Sequence, residues 1–211
     1  MAEKQVNTGT TTVCLLCKDG VVLAADKRAT AGYIVNKNVT KIFRITDKIA
    51  VTVAGTVSEV QLIGKLLRAE LKLKDVQTGR SSSVKEAANL LAGIIYNNFR
   101  RMSFVPSIAA FIMGGVDEQG FHAYELGVDG SLMDVDKYSA DGSGSVFAIG
   151  MLEASFKPGM NVQEGVKMAV KAINTALQRD VYSGDGVNVF TITDKGVKEV
   201  LEKKLTTQLE A

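Results

Sequence analysis

The chain has 211 residues, 46% hydrophobic and 23% charged, with a net charge of +2 and only 2 prolines. That length and composition suit one globular domain able to bury its core without disulfides or metals. Basic residues are spread out, with Arg100-Arg101 and Lys203-Lys204 the notable pairs, and there is no Trp, so the clustered basic and aromatic footprint of a nucleic-acid binder is absent.

Residues 10–17 (TTTVCLLC) are β-branched and apolar, Lys18-Asp19-Gly20 is a turn signal, and residues 21–26 resume as a second strand, which together predict a hairpin. Cys14 and Cys17 form a CxxC within the first strand. Side chains three apart on a strand point to opposite faces, so a redox or zinc pair is not expected and two buried, inert thiols are. Short strands follow over 33–36, 41–45 and 49–54. The period then changes: Val57, Val60, Leu62, Ile63, Leu66, Leu67, Leu71 and Leu73 recur at helical spacing and predict a helix over 56–74.

A second helix opens on a capping box, Ser83 with Glu86 three residues on, and carries Ala87, Leu90, Leu91, Ile94, Ile95 and Phe99 on one broad face. Strands are predicted over 108–116, 121–126, 132–138 and 146–149, then a short helix near Leu152. A long helix starts at a second capping box, Asn161 with Glu164. The strands 187–193 and 197–201, turned by Asp194-Lys195-Gly196, close the chain. This order lacks the strict alternation of a parallel sheet and predicts an α+β fold: two antiparallel sheets stacked between helix layers, a four-layer αββα sandwich.

No segment reaches the roughly 18 apolar residues of a membrane span. Residues 1–9 hold no apolar stretch of a secretory signal. A soluble, cytoplasmic protein is therefore expected, and the sparing use of cysteine agrees with that compartment.

Several chemistries are excluded by inventory. The single histidine, His122, lies on a predicted strand with no nucleophile motif to serve. Phosphate-loop, dinucleotide and HExxH motifs are missing, as is a calcium loop. No metal or cofactor is expected. What remains is the start of the first strand. A threonine hydroxyl is a weak nucleophile unless a base takes its proton, and the threonine's own α-amine can be that base. Its pKa of about 7.7–8.0 suits general-base work at neutral pH. The amine exists only if the chain is cut between Gly9 and Thr10.

The run Gly9-Thr10-Thr11-Thr12-Val13, followed by Lys18–Arg28 (KDGVVLAADKR), resembles the start of a proteasome β-type subunit of the archaeal style. The likeness continues through residues 36–43, Val53-Ala54-Gly55, Gly142-Ser143-Gly144-Ser145 and Gln178-Arg179-Asp180 with Ser183-Gly184. The resemblance implies the N-terminal nucleophile hydrolase fold, with residues 1–9 a pro-segment removed by self-cleavage and 10–211 one catalytic domain. It implies that Thr10 is nucleophile and base, that Lys41 lowers the hydroxyl's pKa, and that Asp26 pairs with Lys41. Gly55 would offer its N–H to the oxyanion, and Ser143, Asp180 and Ser183 would orient the amine and a nearby water. Cys14 departs from the glycine common among archaeal relatives, a difference of packing.

The same resemblance assigns the primary substrate pocket to Ala29, Val39, Phe43, Val53, Val57 and Gln61. All but the last are apolar, and none could pair with a buried charge. Cleavage after apolar residues of unfolded proteins follows as the expectation, with Val53 at the pocket floor favouring Leu over the largest rings. The expected partners are other β-type subunits in a seven-membered ring, α-type subunits in flanking rings and an ATP-dependent unfoldase regulator. A non-catalytic structural subunit of the same particle is the alternative, opposed by the presence of Thr10, Asp26, Lys41 and Asp180. The peptidase subunit of the bacterial two-component protease is a second, opposed by the 178–184 stretch.

Overall fold

A computed structural model describes residues 9–101 and 108–205, and the greater part of the expected pro-segment, residues 1–8, lies outside them. Strands β1 (Thr12–Cys17) and β2 (Gly20–Asp26) form the predicted hairpin. The small strands β3 (Ala29–Thr30), β4 (Ile34–Asn36) and β5 (Ile42–Arg44) lead to β6 (Ile49–Gly55). Helices α1 (Val57–Thr78) and α2 (Val84–Phe99) follow, then β7 (Ala109–Asp117), β8 (Gly120–Leu126), β9 (Leu132–Asp134) and β10 (Tyr138–Asp141). Helices α3 (Ser145–Ser155) and α4 (Val162–Leu177) precede the closing pair β11 (Gly186–Thr193) and β12 (Gly196–Lys204).

Two five-stranded antiparallel sheets result, ordered β10-β1-β2-β11-β12 and β5-β6-β7-β8-β9. Alternation along the strands explains the layering. On β1, Val13, Leu15 and Cys17 join the core under α3 and α4, while Cys14 faces the opposite sheet. On β2, Val22 and Ala24 take the helix side, and Val21, Leu23 and Ala25 the inter-sheet side. The second sheet repeats this, with Val51, Val53, Phe111 and Met113 under α1 and α2, and Ala50 and Ile112 between the sheets. Strands buried on both faces must be apolar throughout, and the predicted αββα sandwich is the arrangement observed. The two thiols are free, buried and in different cores, as strand geometry required.

Both capping boxes form, Ser83 with Glu86 and Asn161 with Glu164. Helix α1 runs one turn beyond the expected end, because Gly79 in the left-handed conformation (φ 68°) is what closes it. Two expectations are corrected. Residues 146–149 belong to α3, not to a strand: an apolar run this short fits either period, and Ala148 and Leu152, four apart, are the buried positions. The predicted strand 132–138 is two strands in different sheets, with the chain crossing at 135–137. No helix among the described residues is long and apolar enough to cross a membrane.

Candidate active site

Asp26 ends β2 in one sheet, and Lys41 immediately precedes β5 in the other. Between them the ion pair spans the sheets at one end of the sandwich, with Lys41 Nζ 2.7 Å from Asp26 Oδ1. The register that pairs Thr12 with Ala25 places Thr11 beside Asp26, and the Thr11 N–H donates to Oδ1 at 2.9 Å. The other oxygen, Oδ2, accepts the N–H groups of Arg28 (3.0 Å) and Gly184 (2.9 Å). Four donors thus satisfy the two oxygens of a fully buried carboxylate. Burial pushes the Lys41 ammonium below its ordinary pKa, and Asp26 opposes that shift.

Lys41 Nζ makes a second bond, to the carbonyl oxygen of Gly9 at 3.0 Å. The same oxygen accepts the Thr10 hydroxyl at 2.7 Å. Lys41 and Thr10 therefore converge on the peptide bond that joins Gly9 to Thr10.

On the other side of Thr10 the hydrogen count sets the direction of each bond. Asp180 Oδ2 lies 2.6 Å from both Ser143 Oγ and Ser183 Oγ, and a carboxylate only accepts. Each serine has spent its one hydrogen there. Ser143 Oγ must then accept the Thr10 N–H, at 3.3 Å. Ser183 Oγ must accept from the Thr11 hydroxyl, at 2.7 Å. Ser143 can approach because its neighbour has no side chain: a Cβ on Gly142 (φ 94°) would fall 2.2 Å from the Thr10 carbonyl oxygen.

Of the residues expected at the centre, Thr10, Asp26, Lys41, Ser143, Asp180 and Ser183 form this one network. Gly55 ends β6 at the edge of an adjoining apolar cleft of about 100 Å³, which also touches Gly9, Thr10 and Lys41. All six expected pocket residues line that cleft: Ala29, Val39, Phe43, Val53, Val57 and Gln61. Val53 is buried and Val57 is exposed. Sequence reasoning missed Thr11 and Arg28, and also Thr30, whose hydroxyl accepts the Gly9 N–H at 2.9 Å. The β-strand register could have pointed to Thr11, while Arg28 and Thr30 carry no signal short of the fold.

His122 stands apart, facing Asp117 at 3.4 Å, whose other oxygen caps the first N–H of α2. Among the described residues no group of His, Cys, Asp and Glu could hold a metal ion.

Comparison with known proteins shows the family of the chain. A family model described as "Proteasome subunit" matches residues 6–192. The chain is 46% identical to "Proteasome subunit beta 2" of Pyrococcus abyssi (strain GE5 / Orsay) over 198 residues, 93% of each chain. It is 43% identical to "Proteasome subunit beta 1" of Thermococcus onnurineus (strain NA1) over 211 residues, covering 100% of both. To "Proteasome subunit beta" of Nanoarchaeum equitans (strain Kin4-M) it is 40% identical over 192 residues, 90% of this chain and 96% of the relative.

Proposed function

The chain belongs to the proteasome subunit family, and within it we propose a catalytic β-type subunit of the 20S core particle, a threonine endopeptidase made as a self-processing precursor. The observation that carries this is the convergence of the Thr10 hydroxyl and the Lys41 ammonium on the Gly9 carbonyl oxygen.

Self-cleavage proceeds by attack of Thr10 Oγ1 on the Gly9 carbonyl carbon. Negative charge gathers on the carbonyl oxygen, where Lys41 already donates. The carbon–nitrogen bond breaks, the Thr10 nitrogen takes up the proton that the hydroxyl gave up, and an ester joins Gly9 to Thr10 Oγ1. Water then hydrolyses the ester, releasing residues 1–9 as the acid. The new α-amine stands beside the hydroxyl as its base, with one N–H held by Ser143. Lys41 lowers the hydroxyl's pKa as a nearby positive charge does. A substrate carbonyl is attacked in the same way, its oxyanion meeting the Gly55 N–H.

The apolar cleft takes the side chain before the cut. A fully buried Leu or Phe side chain contributes on the order of 1.5–3 kcal/mol, whereas an unpaired charge there is costly. The proposed setting is a seven-membered β ring flanked by α rings in the cytoplasm, receiving unfolded protein from an ATP-dependent unfoldase.

Co-expression with an α-type subunit tests the reading. Intact mass of the assembled particle shows loss of residues 1–9, and Thr10→Ala retains them and hydrolyses no peptide. An active particle that keeps Met1 refutes the mechanism. A particle that keeps Met1 and is inactive makes this chain a structural subunit.

A further inference from the structure

The centre has two halves carried by distant parts of the chain. Asp26 and Lys41 lie near the ends of β2 and β5, while Asp180 and Ser183 sit on the segment between α4 and β11. We propose that Arg28 is the positioning residue that locks this segment against Asp26 and so couples the halves. The proposal rests on the proteolytic reading of the site.

Arg28 acts through its backbone and its side chain together. Its N–H donates to Asp26 Oδ2, the oxygen that also accepts the Gly184 N–H. Its guanidinium grips Asp185 with Nε to Oδ2 at 2.7 Å and a longer second contact to Oδ1 at 3.4 Å, and it donates to the Val181 carbonyl at 3.2 Å. The planar fork thus holds both ends of residues 181–185. Between them the Lys27 N–H donates to the Gly184 carbonyl at 3.1 Å.

The segment is shaped to receive that fork. Asp185 is the one non-glycine residue with a left-handed backbone among the described residues, at φ 63°. Such a conformation persists where surrounding structure over-determines it, and here the Arg28 ion pair does so. Gly184 has no side chain where one would strike the guanidinium, since a Cβ would lie 2.3 Å from its central carbon. With residues 181 and 185 held, Asp180 and Ser183 face inward to Ser143 and Thr11. On its outer side the segment borders an open cleft of about 280 Å³, lined also by Leu177, Arg179 and Leu205. Arg28 lines this cleft and not the apolar one. A lysine keeps the charge but offers no fork for two acceptors.

The test compares Arg28→Lys, Arg28→Met and Asp185→Asn in the assembled particle, with a Leu-ending fluorogenic peptide. Both Arg28 variants should lower kcat by about tenfold or more while KM stays within about twofold, the pattern of lost positioning without lost binding. In the double variant Arg28→Met/Asp185→Asn the two effects should be non-additive, as for groups that act through one contact. Crystal structures of these variants should show the Gly184 N–H withdrawn from Asp26, a readout that stands whether or not the chain is a protease. Unchanged kcat with only a lower Tm overturns the proposal, as does a rise in KM with kcat intact. So does a Gly184–Asp26 contact preserved in Arg28→Met, or in Asp185→Asn should the Arg28 variants fail to assemble.

Discussion

Lys41 and Asp26 meet at 2.7 Å with the aspartate fully buried and the lysine side chain 6% exposed. Removing one partner of such a pair leaves an uncompensated buried charge, at a cost of about 3–5 kcal/mol. Lys41→Met should therefore lower stability by about that amount, and cut peptide hydrolysis about a hundredfold or more through loss of charge near the reacting oxygen. Denaturant melts and kcat of the assembled variant check both.

The depressed pKa of Lys41 gives this pair a pH signature. Below the folded pKa the ammonium is charged in both states, and its burial weighs fully against folding. As pH climbs from there toward the ordinary lysine value of about 10.4, the folded protein loses the proton and the unfolded chain keeps it. This group's contribution to stability then rises with pH. Wild-type Tm should fall less steeply across the alkaline range than that of Lys41→Met. Hydrolysis, which needs the ammonium, should decline at a pH below the ordinary lysine range.

Gly9→Ala should slow self-cleavage by about tenfold or more, the scale set by small misplacements of reacting groups. A Cβ on Gly9 would lie 2.2 Å from the Tyr182 carbonyl oxygen, so the Gly9 backbone, whose carbonyl Lys41 holds, must shift. Particle made with Thr10 freed by another route should hydrolyse peptides normally. The rate at which the precursor mass disappears measures the first effect.

Gly142→Ala tests the approach of Ser143. The new Cβ meets the Thr10 carbonyl oxygen at 2.2 Å, and the backbone there is left-handed at φ 94°. A loss of at least about 1–3 kcal/mol in stability is expected from the backbone strain alone, with a fall in kcat as the Thr10 nitrogen loses its acceptor. Intact stability and kcat together would contradict the geometry.

Specificity should follow the apolar cleft. Peptides ending in Leu should be cleaved faster than matched peptides ending in Arg or Glu. Val53→Ala, which deepens the floor, should move the preference toward Phe and Tyr. Fluorogenic peptides that differ only in the residue before the cut decide it.

The thiols offer a check on the fold. Burial raises the Cys17 pKa to about 12, and Cys14 is raised further, also by burial. The thiolate is the reactive form, so neither cysteine should react with iodoacetamide in the folded protein at neutral pH. Both should react in denaturant, as mass spectrometry would show.

Much of this protein is written locally. The capping boxes at Ser83 and Asn161, the helical stripe from Val60 to Leu71 and the hairpin at Lys18–Gly20 depend on residues a few positions apart, and each appears where the sequence placed it. The opposite facing of Cys14 and Cys17 follows from strand period alone. The proposed role of a free amine on Thr10 is likewise argued from the chemistry of one residue. The likeness of the short motifs to one family then named the other candidates. Tertiary structure decided the rest. Residues 146–149 became helix because Ala148 and Leu152 join the core shared with β1, β2 and α4, a contact to which an apolar tetrapeptide bears no witness. Residues 132–141 divided between two sheets because the chain crosses there from one layer to the other. Arg28 finds Asp185 across 157 positions of sequence, and Lys41 turns toward the Gly9 carbonyl across 32. Partners so far apart leave no local periodicity, since only the stacking of two sheets brings the end of β2, the start of β5 and the segment after α4 to one place.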